Sequence, residues 1–158
     1  MDAYTILKVV HIVSSTVLFG TGLGTALHFW LANRSGDVRA IAVSARSTVF
    51  ADFAFTTPAV VVQPATGVAL ALMAGFPLSS PWIVLSVALY VLAGACWLPV
   101  VFIQLRMRRM ADEAVASDGP LGAQYRRLLN AWFTLGWPAF IALVIVFWLM
   151  VAKPAFAG

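Results

Sequence analysis

Four long stretches of the sequence are almost entirely apolar and carry charge only near their ends. They run from about residue 4 to 32, 50 to 76, 81 to 104 and 129 to 152. Roughly 20 helical residues cross a hydrocarbon core of about 30 Å, so each stretch is long enough to span a bilayer. Backbone groups in lipid must be hydrogen-bonded within the segment, which predicts helix for all four. The predicted fold class is all-α, a four-helix transmembrane bundle that forms a single domain over residues 1–158.

The connections between these stretches differ in charge. Residues 32–46 and 105–127 hold eight of the ten lysines and arginines, whereas residues 75–81 are uncharged. Two alternate connections of a four-helix protein lie on one side of the membrane, and the positive-inside rule places basic loops in the cytoplasm. We therefore predict a multi-pass membrane protein with both basic loops in the cytoplasm and both termini outside. The apolar run over residues 9–32 exceeds the roughly 7–15 residues of a signal-peptide core, which predicts a retained helix.

The composition agrees with a membrane protein and excludes several other classes. Hydrophobic residues make up 62% of the chain, charged residues 10%, and the mean hydropathy is +0.94. An ordinary soluble domain is about 25% charged, so a soluble globular domain, a disordered chain and a nucleic-acid module are all excluded. The formal charge is +4, and we expect the basic residues to determine the orientation of the chain in the membrane and to contact anionic lipid headgroups. The single Cys96 excludes an intrachain disulfide.

Several residues are typical of helix packing and of helix bends. Gly20 and Gly24 form a small-xxx-small pair in the first helix, which predicts close approach of another helix. Gln63 precedes Pro64 at mid-membrane, and its amide is predicted either to satisfy a backbone group that the proline leaves free or to bridge to the first helix. Each of helices two, three and four contains a proline that should bend it: Pro64, Pro99 and Pro138. Four tryptophans lie toward segment ends, as interface anchors do: Trp30, Trp82, Trp132 and Trp148.

His11 is the first candidate site residue. It follows Lys8 by one turn in the outer half of the first helix. Polar groups at membrane depth are costly and often functional. A neutral imidazole here could ligate the iron of haem b, with Lys8 placed to contact a propionate. The alternatives are a hydrogen-bonded structural histidine or a proton-transfer group. Met73 is predicted near the same depth, either as a thioether donor or as a packing residue.

His28 and Asp52 form a second candidate site. His28 lies about 25 Å beyond the first histidine along the helix axis, too far to share one haem with it. A hairpin that turns near Arg39–Ala40 would bring His28 and Asp52 to equal depth, where the carboxylate could orient the imidazole. Alternatively, Asp52 lies at the headgroup level and pairs with Arg46 or Arg109.

Three segments resemble a family of predicted bacterial integral membrane proteins that is known only as a domain of unknown function. They are Phe55-Thr-Thr-Pro-Ala-Val-Val-Val-Gln-Pro64, Leu89-Tyr-Val-Leu-Ala-Gly-Ala-Cys-Trp-Leu-Pro-Val-Val101 and Leu135-Gly-Trp-Pro-Ala-Phe-Ile141. The tail Phe147-Trp-Leu-Met-Val-Ala-Lys-Pro154 follows the same pattern. The resemblance covers essentially the whole chain and implies a four-helix inner-membrane protein. It implies no activity.

A more distant resemblance involves the HemJ-type protoporphyrinogen oxidases, small four-helix membrane proteins that bind haem b. Lys8-Val-Val-His11 is similar to their Lys-x-x-His, and Thr57-Pro58-Ala59 with Gly67 is similar to their second helix. Lys153-Pro154 is similar to the end of their last helix. The resemblance implies that His11 is the haem-associated histidine. The lysine that those oxidases carry early in helix three has no counterpart in Trp82–Ala88.

These observations lead to two main functional hypotheses. In the first, haem b bound through His11 exchanges electrons with a quinone, a porphyrin-like substrate or a membrane redox partner. In the second, the chain is a non-enzymatic scaffold or accessory subunit without a cofactor, and its basic loops dock a partner or anionic lipid. A transporter is a third hypothesis. It would need Asp52 as its embedded carboxylate and a homo-oligomer to enclose the substrate path. No nucleic-acid partner is expected.

Overall fold

The computed structural model describes residues 2–154, and four of its helices are long and apolar enough to cross a membrane. These are α1 (Ala3–Ser35), α2 (Val38–Met73), α3 (Pro81–Ala116) and α4 (Ala123–Ala152). The turns at residues 36–37 and 117–122 lie at one end of the bundle, which we call the basic end. Residues 2 and 154 and the loop 74–80 lie at the other, the terminal end. The predicted all-α transmembrane fold is confirmed.

The helices continue beyond the apolar stretches at the basic end. Helix α2 begins at Val38, and α3 continues to Ala116, so most of the arginine-rich connections are helical. Hydropathy marks only the part of a helix that lipid can hold, whereas arginine is itself a good helix former in water. The Asp37 carboxylate starts α2 by accepting from the Arg39 backbone N–H at 2.8 Å. Gly36 ends α1 with φ of 72°, a conformation that favours glycine.

The main core of the bundle lies at the basic end. It combines three alanines of α2 and α3, which allow close approach of the helices, with larger side chains from all four helices. Its buried members are Phe29, Ile41, Ala42, Ala45, Val100, Met107, Ala111, Tyr125 and Trp132. The Tyr125 hydroxyl donates to Asn33 Oδ1 at 2.9 Å and so joins α4 to α1. On the surface, Arg46 pairs with Asp112 at 3.0 Å.

The two hairpins separate toward the terminal end. Helix α1 packs on α2 and α3 packs on α4 along their lengths, but the first half of α2 makes most of the contact with α3. A small second core near the terminal end contains Ala71, Trp82, Ile83 and Leu149. There the Lys153 ammonium lies 4.8 Å from the centre of the Phe76 ring. The divergence of the hairpins leaves room between α1 and α4.

Helix α2 contains a wider π-helical turn at Asp52–Thr56. The Pro58 ring would clash with the carbonyl of residue 54 in a regular α-helix, and the wider turn relieves that clash. Thr57 donates its hydroxyl to the Asp52 carbonyl at 2.9 Å and supports the turn. The helices do contain the three predicted internal prolines. The π turn, which the sequence analysis did not predict, sets the direction of the Asp52 side chain.

The predicted packing role of Gly20 and Gly24 is not realised within residues 2–154. A Cβ added at either position would meet no atom within 4 Å among the described residues. The reason is that α1 packs on α2 through a different face, which carries His11 and Ser14.

Candidate functional site

A cleft of about 830 Å³ lies between the two hairpins and receives residues from all four helices. On α1 its lining extends from Leu18 to Arg34, which corresponds to about 24 Å along the helix axis. Sites for small ligands are typically apolar concavities of roughly 300–1,000 Å³ with a few placed polar groups. The size and shape of this cleft match that description.

The walls of the cleft are mostly apolar and rich in aromatic rings. The rings that line it on α4 are those of Trp132, Phe133, Trp137 and Phe140. Polar groups occupy the basic end, where Asn33, Arg34 and Asn130 form the mouth. The Arg34 guanidinium lies 4.9 Å from the centre of the Trp30 ring. A ligand with one polar end and an apolar body would therefore match the cleft along its length.

The buried carboxylate of Asp52 forms the polar centre of the cleft wall. It is 6% exposed, and the side-chain amide of Gln104 on α3 donates a hydrogen bond to it. The Gln104 oxygen in turn accepts from the Trp132 indole N–H on α4 at 3.1 Å. A chain of hydrogen bonds thus links α2, α3 and α4 across the bundle.

Three further polar groups lie near this carboxylate without completing a hydrogen bond within residues 2–154. They are the Thr56 hydroxyl and the Trp97 indole N–H, which both lie within reach of the carboxylate, and the Thr48 hydroxyl one helical turn away. All three are buried, and all three residues line the cleft. Buried polar atoms in proteins are nearly always paired with protein, water or ligand. The Asp52 wall can therefore donate to a ligand through Trp97 and the threonines and accept from it through the carboxylate.

The structure places His11 elsewhere, in the α1–α2 interface. Its Nδ1 lies 2.7 Å from the hydroxyl of Thr66, and a Cβ on Gly67 would lie 3.2 Å from its Cε1. Ser14 and Gln63 complete the cluster, with the Ser14 hydroxyl 3.1 Å from the Gln63 amide oxygen. Gln63 thus bridges α2 to α1, which is one of its two predicted structural roles. His11 does not line the cleft.

Two proton arrangements satisfy the distances around His11. In one, Thr66 donates to the Val62 carbonyl at 2.7 Å and accepts from His11 Nδ1–H, which leaves a lone pair on Nε2. In the other, the Gln63 amide is turned so that its nitrogen donates to His11 Nδ1 at 2.8 Å. The imidazole proton is then on Nε2. Only the first arrangement leaves Nε2 able to ligate a metal.

The other predicted site residues are dispersed. Lys8 and His28 are exposed, and Met73 is 53% exposed. The first hairpin turns at Gly36–Asp37, earlier than predicted. In this antiparallel pair Asp52 therefore lies about 10 Å beyond the level of His28. The pairing of these two residues is corrected accordingly.

The predicted pairing of Asp52 with a surface arginine is also corrected. Arg46 pairs with Asp112 instead, and Asp52 points into the protein toward Gln104. The sequence analysis did not identify Gln104, and it interpreted Trp132 as an interface anchor. A recognisable pattern was nevertheless present, because Ser44, Thr48, Asp52 and Thr56 recur every four residues along one helix face.

Fold and cleft together define an α-helical membrane protein that crosses the bilayer several times and contains an intramembrane cavity. The chain belongs to the family of predicted integral membrane proteins DUF2269, whose family model matches residues 5–154. No curated protein matches the sequence, and no solved structure matches it. Contact with a lipid bilayer follows from membership of this family. The resemblance to HemJ-type oxidases remains a prediction.

Proposed function

We propose that the protein is a membrane-embedded redox protein whose cleft binds a quinone or the corresponding quinol. The observation that carries this proposal is the buried Asp52 carboxylate, with further buried donors beside it, in the wall of an aromatic, apolar cleft. A quinone carbonyl accepts hydrogen bonds, whereas a quinol hydroxyl also donates them. The Trp97 N–H suits the oxidised form and the Asp52 carboxylate suits the reduced form.

The apolar part of the cleft supports the same class of ligand. A quinone ring is flat, and aromatic side chains favour offset or edge-to-face contact with such rings. Phe140 stacks on Phe19 at a centroid distance of 4.9 Å and closes the cleft on the α1 side. A lipophilic tail would leave between the diverging hairpins into the bilayer. The lipid phase thus supplies the ligand directly to its site.

Binding can be measured by quenching of tryptophan fluorescence in detergent-solubilised protein titrated with a short-chain benzoquinone. We expect saturable quenching that weakens about tenfold in Trp97→Phe and in Asp52→Asn, the loss typical of about one hydrogen bond to a ligand. Matched controls are Trp148→Phe and Asp118→Asn, which change the same residue types outside the cleft lining. Titration with a flat hydrocarbon of similar size measures how much quenching arises from non-specific partitioning into the detergent micelle. Equal quenching by quinone and hydrocarbon, unchanged in Trp97→Phe, would overturn the proposal.

A second candidate function is haem b binding through His11, as expected from the Lys8–His11 motif. The observation that favours it is the hydrogen bond between Nδ1 and Thr66, because metal-ligating histidines usually anchor their other ring nitrogen in this way. Lys8, one turn away and exposed, would face a propionate. Haem b would supply one-electron redox chemistry. His11 would provide one axial ligand, and within residues 2–154 no cluster of three His, Cys, Asp or Glu side chains offers another metal site.

Optical spectroscopy of protein purified from haem-replete cells tests this candidate. We expect a Soret band, with sharpened α and β bands after dithionite, that is lost in His11→Ala and retained in His28→Ala. Gln63→Leu removes the donor that competes for Nδ1 and should preserve the band. A colourless wild-type protein would overturn haem binding and leave the quinone proposal intact. Failure of both would favour the accessory-subunit hypothesis.

We also propose that the basic end faces the cytoplasm of a bacterium and that both termini lie outside. The support is the positive-inside rule applied to eight arginines at that end. This orientation would open the polar mouth of the cleft toward the cytoplasm.

A further inference from the structure

One face of α2 carries a line of buried polar side chains that leads from the basic end to Asp52. Ser44, Thr48 and Thr56 are each at most 4% exposed. Their hydroxyls make no hydrogen bond within residues 2–154. The other two buried serine and threonine hydroxyls of residues 2–154 are bonded to the preceding turn: Thr66 to Val62 at 2.7 Å and Ser86 to Trp82 at 2.7 Å. The hydroxyls of Ser44 and Thr48 are therefore free for other partners.

The spacing of these groups suits a water-bridged chain. Four residues of α-helix correspond to about 6 Å along the axis, which is too long for a direct hydrogen bond and suitable for one bridging water. The wider turn at Asp52–Thr56 contains more residues per turn, and it brings Thr56 back toward the face of Thr48. Thr48, Asp52 and Thr56 all line the cleft, whose mouth at the basic end carries Arg34. Water thus has polar partners from that mouth to the carboxylate.

We propose that Asp52 is a proton-exchange site connected to the aqueous phase at the basic end through water in the cleft and the hydroxyl of Thr48. A proton from water passes along the bridged chain, through O–H bonds that form and break in turn, onto a carboxylate oxygen of Asp52. The reverse sequence returns it, and no electron moves. The role of the proton, which is exchange with a quinol hydroxyl at the same carboxylate, rests on the proposed function. The exchange itself does not.

Few other charges would influence this site. Among the residues that line the cleft, the remaining ionisable side chains are Arg34 on α1 and Tyr90 on α3, and α4 supplies none. The Tyr90 hydroxyl is engaged with the Val60 carbonyl at 2.7 Å. Arg34 lies about 20 Å from Asp52 along the axis of α1. Asp52 is therefore the group in the cleft lining that can accept a proton delivered along the polar face of α2.

Infrared spectroscopy of the ligand-free protein in lipid nanodiscs tests the proposal. The carboxyl band of Asp52 is identified as the band that is missing in Asp52→Asn and present in Asp118→Asn. We expect this band to titrate with pH and to shift rapidly when the protein is transferred to D₂O. Thr48→Val should slow the shift roughly tenfold, equivalent to about 1.4 kcal/mol added to the barrier. Ser44→Ala changes a hydroxyl on the same helix face but outside the cleft lining and should not slow it, and Thr48→Ser should restore the wild-type rate.

The matched control is Thr134→Val, since Thr134 bonds to the Asn130 carbonyl on α4 at 2.9 Å and lies outside the cleft lining. An Asp52 band that never exchanges, or that exchanges equally fast in Thr48→Val, would overturn the proton route. Quinone titration of the same variants separates the two proposals. Slowed exchange without quinone binding rejects the ligand and keeps the route. Quinone binding combined with exchange that does not depend on Thr48 rejects the proton route and keeps the quinone as ligand.

Discussion

The amide of Gln104 on α3 donates to the carboxylate of Asp52 on α2, and both side chains are almost completely buried. Because Trp132 on α4 donates to the same Gln104 side chain, one residue satisfies polar groups from two other helices. A carboxylate in the interior of a membrane protein is stable only when such partners are in place. The pair therefore has both a structural and a functional consequence.

The structural consequence is a strong dependence of stability on Gln104. Gln104→Leu keeps the approximate volume but leaves the Asp52 carboxylate and the Trp132 N–H unpaired, and an unpaired buried polar group costs about 1–3 kcal/mol. We expect a loss in this range, seen as a lower midpoint of thermal or denaturant unfolding in mild detergent. Asp52→Asn should cost less, since an asparagine oxygen still accepts from Gln104.

Asp112→Asn is the control for this prediction. It removes the carboxylate of an exposed ion pair with Arg46, and such pairs contribute about 0–1 kcal/mol. If Asp112→Asn destabilised the protein as much as Gln104→Leu, burial of the Asp52 network would not be the cause. A double-mutant cycle between positions 52 and 104 then measures the coupling directly.

The α1–α2 interface makes a second prediction at Gly67. An added Cβ would lie 3.2 Å from the Cε1 of His11, so Gly67→Ala must shift the imidazole or separate the helices. Overpacking of this kind typically costs about 1–3 kcal/mol. We expect a lower unfolding midpoint and a shifted ¹⁵N resonance of His11. Gly24→Ala is the matched control, because nothing lies within 4 Å of its added Cβ and alanine favours helix over glycine. Equal effects of the two substitutions would contradict the contact.

The terminal end provides a third prediction. The Lys153 ammonium lies 4.8 Å from the centre of the Phe76 ring and 6.0 Å from that of Trp82, and a cation–π contact contributes about 0.5–2 kcal/mol. Lys153→Gln should lose that contribution, seen as a lower unfolding midpoint, whereas Lys153→Arg should retain most of it. Lys8→Gln removes an exposed lysine near the same end and serves as the control. If Lys8→Gln lowered the unfolding midpoint as much as Lys153→Gln does, the cause would be a general effect of charge and not the cation–π contact.

The sequence allowed the fold to be predicted more completely than the site. Apolar length alone identifies the four spans, because lipid permits few alternatives to a helix. It does not locate the turn at Gly36–Asp37, since α2 continues as a polar helix outside the lipid. That shift of the turn separates Asp52 from His28. The Gln104 partner could not be predicted, because it depends on how the second hairpin packs against the first.

The orientation of the chain makes a last prediction that needs no ligand. A Cys96→Ala background removes the single cysteine, and reporters are then added as Ser117→Cys at the basic end and Ser79→Cys at the terminal end. Both positions are exposed, so reactivity reports the side of the membrane rather than burial. In intact cells a membrane-impermeant maleimide should label position 79, and position 117 should react only after the membrane is opened. The opposite pattern would place the arginines outside, against the positive-inside rule, and would turn the mouth of the cleft and the proposed proton route away from the cytoplasm.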